Sequence, residues 1–234
     1  MLMNTTATLP SATAKRTPVV AHHFDDWEQQ YDACVLGMWA FLVSEVMFFG
    51  GVIAVYMIYR WQTPMAFAYA SQELSAPLGT FNTFILLTSS LTVALGVRYA
   101  HTGESRKVGW MLISTIVLGA IFLGIKAYEY YTKFEHNLAP LLNLPFDYAG
   151  PDPGPTKIFF GLYFGMTGIH ALHMIIGVVL MAMFVPAAFR NEYRDGNSLG
   201  VEVIGLYWHF VDLVWIFLFP LLYLVDRAIT APPL

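Results

Sequence analysis

Charge is what this sequence has least of. Asp, Glu, Lys and Arg make up 12% of its 234 residues, about half of the roughly 25% usual in a soluble domain. Mean hydropathy is +0.56, so much of the surface does not face water. The single cysteine, Cys34, excludes a disulfide within the chain and a CxxCH haem attachment. No basic run points to nucleic acid. The net charge of −4 identifies no partner for so apolar a chain. Residues 1–30 lack the apolar core of a signal peptide. They read as a polar tail that ends in HHFDDWEQQYD at a membrane surface.

What is present is five long apolar runs, at 36–59, 74–97, 108–125, 158–189 and 203–225. Glu45 is the only charge in the first and Asp212 the only one in the fifth; the other three carry none. About 20 apolar residues cross a bilayer core, so five transmembrane spans are expected. Hydrocarbon offers backbone groups no water, and runs this long without strict alternation must be helices rather than barrel strands. The expected fold is an all-α integral membrane protein, a five-transmembrane-helix bundle over 31–228, with a short C-terminal tail at 229–234. Pro186 is expected to end the fourth helix. The connection at 132–157 holds five prolines, Pro140, Pro145, Pro151, Pro153 and Pro155, and is expected to be a non-helical outer loop. YEYYTKF ahead of it reads as an interfacial aromatic belt.

A carboxylate at mid-bilayer is costly. Three remedies are open to Glu45: protonation by desolvation, a hydrogen-bonding or cationic partner, or a water- or lipid-lined cavity. The expected placement is the bundle interior or a lipid-filled groove, with His209 or a headgroup amine as partner. His170 and His173, and likewise His209 and Asp212, stand three residues apart, one turn along a helix face. Such pairs suit a metal or a haem. They equally suit hydrogen bonds between helices, and the second reading is preferred. Of seven histidines, His22 and His23 lie in the tail, His101 in a loop and His136 outside. Too few remain for a di-iron oxygenase or a two-haem cytochrome b. The GxxxG of Gly161 and Gly165, extended by Gly168 and Gly177, predicts close helix approach. Gly50 and Gly51 read as close approach or as room for a ligand. Thr83, Ser89, Ser90 and Thr92 form a weakly polar stripe expected to face protein.

SEVMFF at 44–49, KAYEYY at 126–131, GIHALHMIIG at 168–177 and YWHFVDLVWIFLF at 207–219 resemble, in order and context, subunit III of haem–copper terminal oxidases. The similarity runs over about 32–226 and matches the last five helices of the usual seven, as in five-helix bacterial forms. The resemblance implies an accessory subunit of an aerobic respiratory oxidase that binds no haem or copper itself. Those cofactors belong to partner subunits. It implies direct packing on catalytic subunit I, neighbours including subunit II, bound phospholipid, and support for proton uptake and active-site integrity. In the seven-helix form a V-shaped cleft holds phospholipid; here one wall of that cleft is missing. Glu45 matches the family's buried glutamate. Arg190 and Trp208 are the expected lipid-headgroup contacts, and Glu129 joins His170, His173, His209 and Asp212 in an expected interhelical polar network. The alternatives are a haem- or metal-binding membrane redox protein, or the related subunit of a quinol oxidase or nitric oxide reductase system. The electron donor is read by other subunits.

Lys and Arg collect in cytoplasmic loops. Lys15, Arg16, Arg98, Arg106, Lys107, Arg190 and Arg194 fall on one side, and Arg60, Lys126, Lys133, Lys157 and Arg227 on the other. A bacterial inner-membrane protein with a cytoplasmic N-terminus and a periplasmic C-terminus is therefore expected. A reporter fused to the C-terminus should be active only on the periplasmic side; activity confined to the cytoplasm would reverse the topology.

Overall fold

The structure is a computed structural model that describes residues 20–140, 146–194 and 198–225. Lys15, Arg16, Pro145, Arg227 and the 229–234 tail lie outside the described residues. Six helices follow in order: α1 (Trp27–Gln62), α2 (Pro64–Gln72), α3 (Ala76–His101), α4 (Ser105–Glu135), α5 (Pro153–Phe189) and α6 (Leu199–Tyr223). All but α2 are long and apolar enough to cross a membrane. No strand occurs among the described residues. The five-span helical bundle read from the sequence is thus the fold, with α2 as an addition that the apolar runs did not announce.

Local sequence sets the ends. The Asp26 side chain accepts the Gln29 amide at 2.8 Å and caps α1, so the last residues of the expected tail are already helical. Thr63 caps its far end and Pro64 opens α2, because proline cannot continue a helix but suits a first turn. The same rule corrects the proline-rich loop. Pro153 and Pro155 lie in the first turns of α5, where an amide proton has no helical acceptor to lose. Pro186 does not end α5, which runs on to Phe189. The proline lies in the last turn, where little ladder remains to be broken. At the α3–α4 turn Gly103 adopts φ 75°, and a side chain there would meet the Arg194 carbonyl oxygen at 2.7 Å. Only glycine fits.

Helices α3, α4, α5 and α6 form a ring in which each packs on two neighbours; α4 and α6 lie across it, and their backbones do not approach closely. Aromatic side chains of α6 fill the middle. Trp208 reaches Gly119 on α4 and Gly177 on α5: a methyl group on either glycine would come within 2.9 Å of its ring. Trp215 meets Phe122 edge-on at 4.9 Å between centroids. Helix α1 packs outside the ring on α5 and α6, and α2 caps the α1–α5 end. Just 17% of the apolar window of α1 is buried, against 56% for α6, which makes α1 the peripheral helix.

Of the small residues expected to permit contact, Gly177 does so against Trp208, and the others do not. Added methyl groups on Gly161, Gly165, Gly50 and Gly51 would meet nothing within 4 Å, and one on Gly168 would reach only the Tyr130 hydroxyl at 3.8 Å. The GxxxG and the Gly pair after Glu45 therefore mediate no helix contact in this chain. Spacing alone does not say which face a neighbour occupies. The polar stripe of α3 does face protein. Thr83 accepts the Trp215 indole and Ser89 the Trp208 indole, each at 3.0 Å, while Thr92 meets Thr115 at 2.7 Å.

Gly177→Ala should lower stability by about 1–3 kcal/mol through overpacking against Trp208. Gly165→Ala, in open space, should be neutral or mildly stabilising. Thermal denaturation of the solubilised protein compares them; equal effects would refute the Trp208 slot.

Candidate functional site

The first half of α1, the second half of α5 and the first half of α6 leave a groove of about 840 Å³, lined by apolar side chains such as Met38, Phe41, Ile176 and Phe184. It starts beside Trp27 and Gln30 and reaches Glu45 and His173. From Trp27 to Glu45 is 18 steps of helix, roughly 27 Å at 1.5 Å per residue. The groove therefore runs from the start of α1 to the middle of that helix.

Glu45 is met there by His173, not His209: the carboxylate Oε2 lies 3.2 Å from His173 Nε2. His173 Nδ1 is 2.9 Å from the Ile169 carbonyl. A carbonyl only accepts, so Nδ1 carries a proton. The contact between Nε2 and Oε2 then holds one proton, placed on the acid or on the imidazole, and the pair is neutral overall in both forms. This is how the membrane tolerates Glu45. Tyr207 donates to the His173 carbonyl at 3.0 Å, and Phe49 lies edge-on to the imidazole at 5.3 Å. The first ties α5 to α6, and the second packs the histidine against α1.

The other expected site residues separate. His170 turns away from His173 into the ring, against Phe122 and Trp215 with centroids at 5.6 and 5.3 Å, and neither of its nitrogens has a hydrogen-bond partner among the described residues. His209 Nδ1 pairs with Ser90 at 2.7 Å. Asp212, expected to bond between helices, is buried on α6 and faces the Ser90 hydroxyl of α3. Glu129 joins none of the histidines. It pairs with Lys126 at 2.8 Å and accepts the Tyr223 hydroxyl at 2.8 Å. The single expected network is therefore several separate ones. Among the described residues no three His, Cys, Asp or Glu side chains gather as metal ligands would.

Trp208 is not a headgroup contact. It is fully buried, with its indole committed to Ser89. Arg190 caps α5 and is exposed, outside the groove lining.

Three features escaped sequence reasoning. Lys126, counted with the outer-side charges, lies within α4 and is buried in the bundle. Its ammonium bonds Glu129, Tyr163 and Tyr223 and is ringed by Tyr130, Tyr163, Trp215 and Tyr223 at 5.1–5.7 Å from their centroids. The Lys–Glu spacing of three within KAYE was the available signal. Near the start of α1, Tyr31 donates to Glu202 at 2.9 Å, and His101 lies 3.2 Å from the same carboxylate. His101 thus closes α3 rather than standing in a loop. At the opposite end of α1, the Tyr56 hydroxyl donates to the Leu221 carbonyl at 2.5 Å. No one-dimensional pattern pairs residues so far apart.

Comparison with known proteins fits this architecture. Residues 151–226 match the family model for cytochrome c oxidase subunit III. The chain is 32% identical to cytochrome c oxidase subunit 3 of Thermostichus vulcanus, over 87% of this chain and 92% of the relative. It is 30% identical to the subunit of that name in Corynebacterium diphtheriae, over 82% and 87%. A probable quinol oxidase subunit 3 of Staphylococcus saprophyticus is 28% identical over 82% and 89%. With its five membrane-crossing helices, the chain is a multi-pass membrane protein and belongs to the cytochrome c oxidase subunit III family.

Proposed function

We propose that this chain is the accessory subunit III of a haem–copper terminal oxidase and binds no redox centre itself. It packs on catalytic subunit I, which holds the haem and copper, with subunit II nearby, and it supports active-site integrity and proton uptake. The groove at α1, α5 and α6 takes the acyl chains of a phospholipid. The carrying observation is that groove: mainly apolar along its length, beginning beside the start of α1 and reaching the Glu45–His173 pair at the middle of that helix. A charged headgroup has no counter-charge at that depth, so the lipid enters tail first. Arg190, exposed at the inner end of α5, is the proposed headgroup contact. Relatives carry the names of both cytochrome c and quinol oxidases, and the electron donor is set by other subunits. The proposed location is a bacterial inner membrane, with the N-terminus in the cytoplasm.

Two results test this. Mild detergent should release the chain together with a haem-bearing catalytic subunit, while the chain expressed alone should show no Soret band. A chromophore on the isolated polypeptide would refute the accessory role. Glu45→Gln should leave assembly and haem content intact, because the conservative change removes an interaction worth about 0.6–2 kcal/mol in a membrane interior. Loss of activity during sustained turnover should accelerate, and phospholipid retained on the complex, counted by mass spectrometry, should fall. Loss of haem from the purified variant complex would contradict the proposal.

A further inference from the structure

Inside the α3–α6 ring, on the side away from the groove, Asn82 and His170 have no hydrogen-bond partner among the described residues for any side-chain nitrogen or oxygen, and Asp212 has only the Ser90 hydroxyl facing it. Each is at most 3% exposed. Buried polar atoms are costly unless bonded, and several unbonded ones in a native core call for an explanation.

All three stand at about the level of one residue, Trp215, on the helices of the ring. Trp215 bonds Thr83, the neighbour of Asn82, and its ring lies 5.3 Å from His170 and 5.1 Å from the Lys126 ammonium. Asp212 stands one turn before Trp215 on α6. The antiparallel register of α3 and α4 is fixed by Thr92 against Thr115 and Gly96 against Met111. Carried ten residues further, it sets Asn82 level with Ile125 and Lys126. The protein's own donors nearby are committed. Ser90 is shared between His209 and Asp212, Ser89 accepts Trp208, and Thr83 donates to the Gly79 carbonyl. The Lys126 ammonium has three protons and three partners.

We propose that this core binds resident water molecules, a buried hydration site around Trp215 that bonds Asn82, His170 and Asp212. A buried water makes two to four hydrogen bonds to such atoms, and an amide, an imidazole and a carboxyl supply both donors and acceptors. The waters continue the polar interior from the Lys126–Glu129–Tyr223 cluster toward His209 and Ser90. Along α6 that is the stretch from Tyr223 to His209, roughly 20 Å by helical rise. None of these core residues lines the groove, so the site is independent of the lipid proposed there and of the family assignment.

Radiolytic hydroxyl footprinting of the intact complex in native membranes tests it, because pulsed radiolysis oxidises side chains beside bound water even when bulk solvent cannot reach them. Met181 is the dry control: it is as fully buried as Trp215, 11 residues from His170 along α5, and intrinsically more oxidisable. The expected result is oxidation of Trp215 with Met181 unmodified. The oxygen incorporated should come from the original water when the sample is mixed into heavy-oxygen water just before the pulse. Asp212→Leu should abolish the Trp215 label, and Asn82→Leu serves the same purpose if the first variant fails to assemble. A Trp215 as inert as Met181 in the wild-type complex would overturn the proposal. Immediate uptake of heavy oxygen would overturn it too, since it would mark bulk access rather than resident water.

Discussion

Trp208 is the joint on which the bundle closes. In a bilayer no hydrophobic effect drives one apolar helix onto another, so association rests on close packing and hydrogen bonds. Trp208 supplies both. Its ring fits against α4 at Gly119 and α5 at Gly177, and its indole N–H is held by Ser89 of α3. One side chain of α6 thus touches every other member of the ring. The two glycines leave it room, and Trp215 repeats the arrangement about two turns further along against Phe122 and Thr83. Because α4 and α6 do not meet through their backbones, these indoles are what fill the space between them.

Helix α1 is attached differently. It has no comparable aromatic socket along most of its length, and much of it faces outward. Three polar clasps hold it at successive depths: Tyr31 on Glu202, Glu45 on His173, and Tyr56 on the Leu221 carbonyl. Polar contacts are sparse and directional, so the helix is pinned at points and a groove remains between the first two pins. The carboxylate that looks out of place in FLVSEVMFFG is one of those pins. Its expense in hydrocarbon is met by a histidine whose other nitrogen is already fixed on Ile169, which leaves a single shared proton and no net charge.

The same economy of charge runs through the rest of the interior. Lys126 and Glu129 neutralise one another within an aromatic ring of four side chains. His209 is matched by a serine. These arrangements tie helices to one another and to their own side chains. The Glu45–His173 pair and the unpartnered core residues face different sides of α5, so lipid and water are proposed to occupy separate places in one small protein.

The sequence by itself determined the helical class, the five membrane crossings, the inward face of α3 and the need for Glu45 to be neutralised. All of these follow from hydropathy, length and the cost of charge in hydrocarbon, which act along the chain. The family was also legible, because YWHFVDLVWIFLF and its companions are long and distinctive. Only the tertiary structure decided who meets whom. Residues three apart in a helix lie about 60° apart around its axis, and that suffices for His170 to enter the ring while His173 faces α1. The same limit made a GxxxG look like a contact and Trp208 like a surface anchor. Helical period fixes a direction for each side chain, but the neighbour found in that direction depends on how the helices are arranged around the ring.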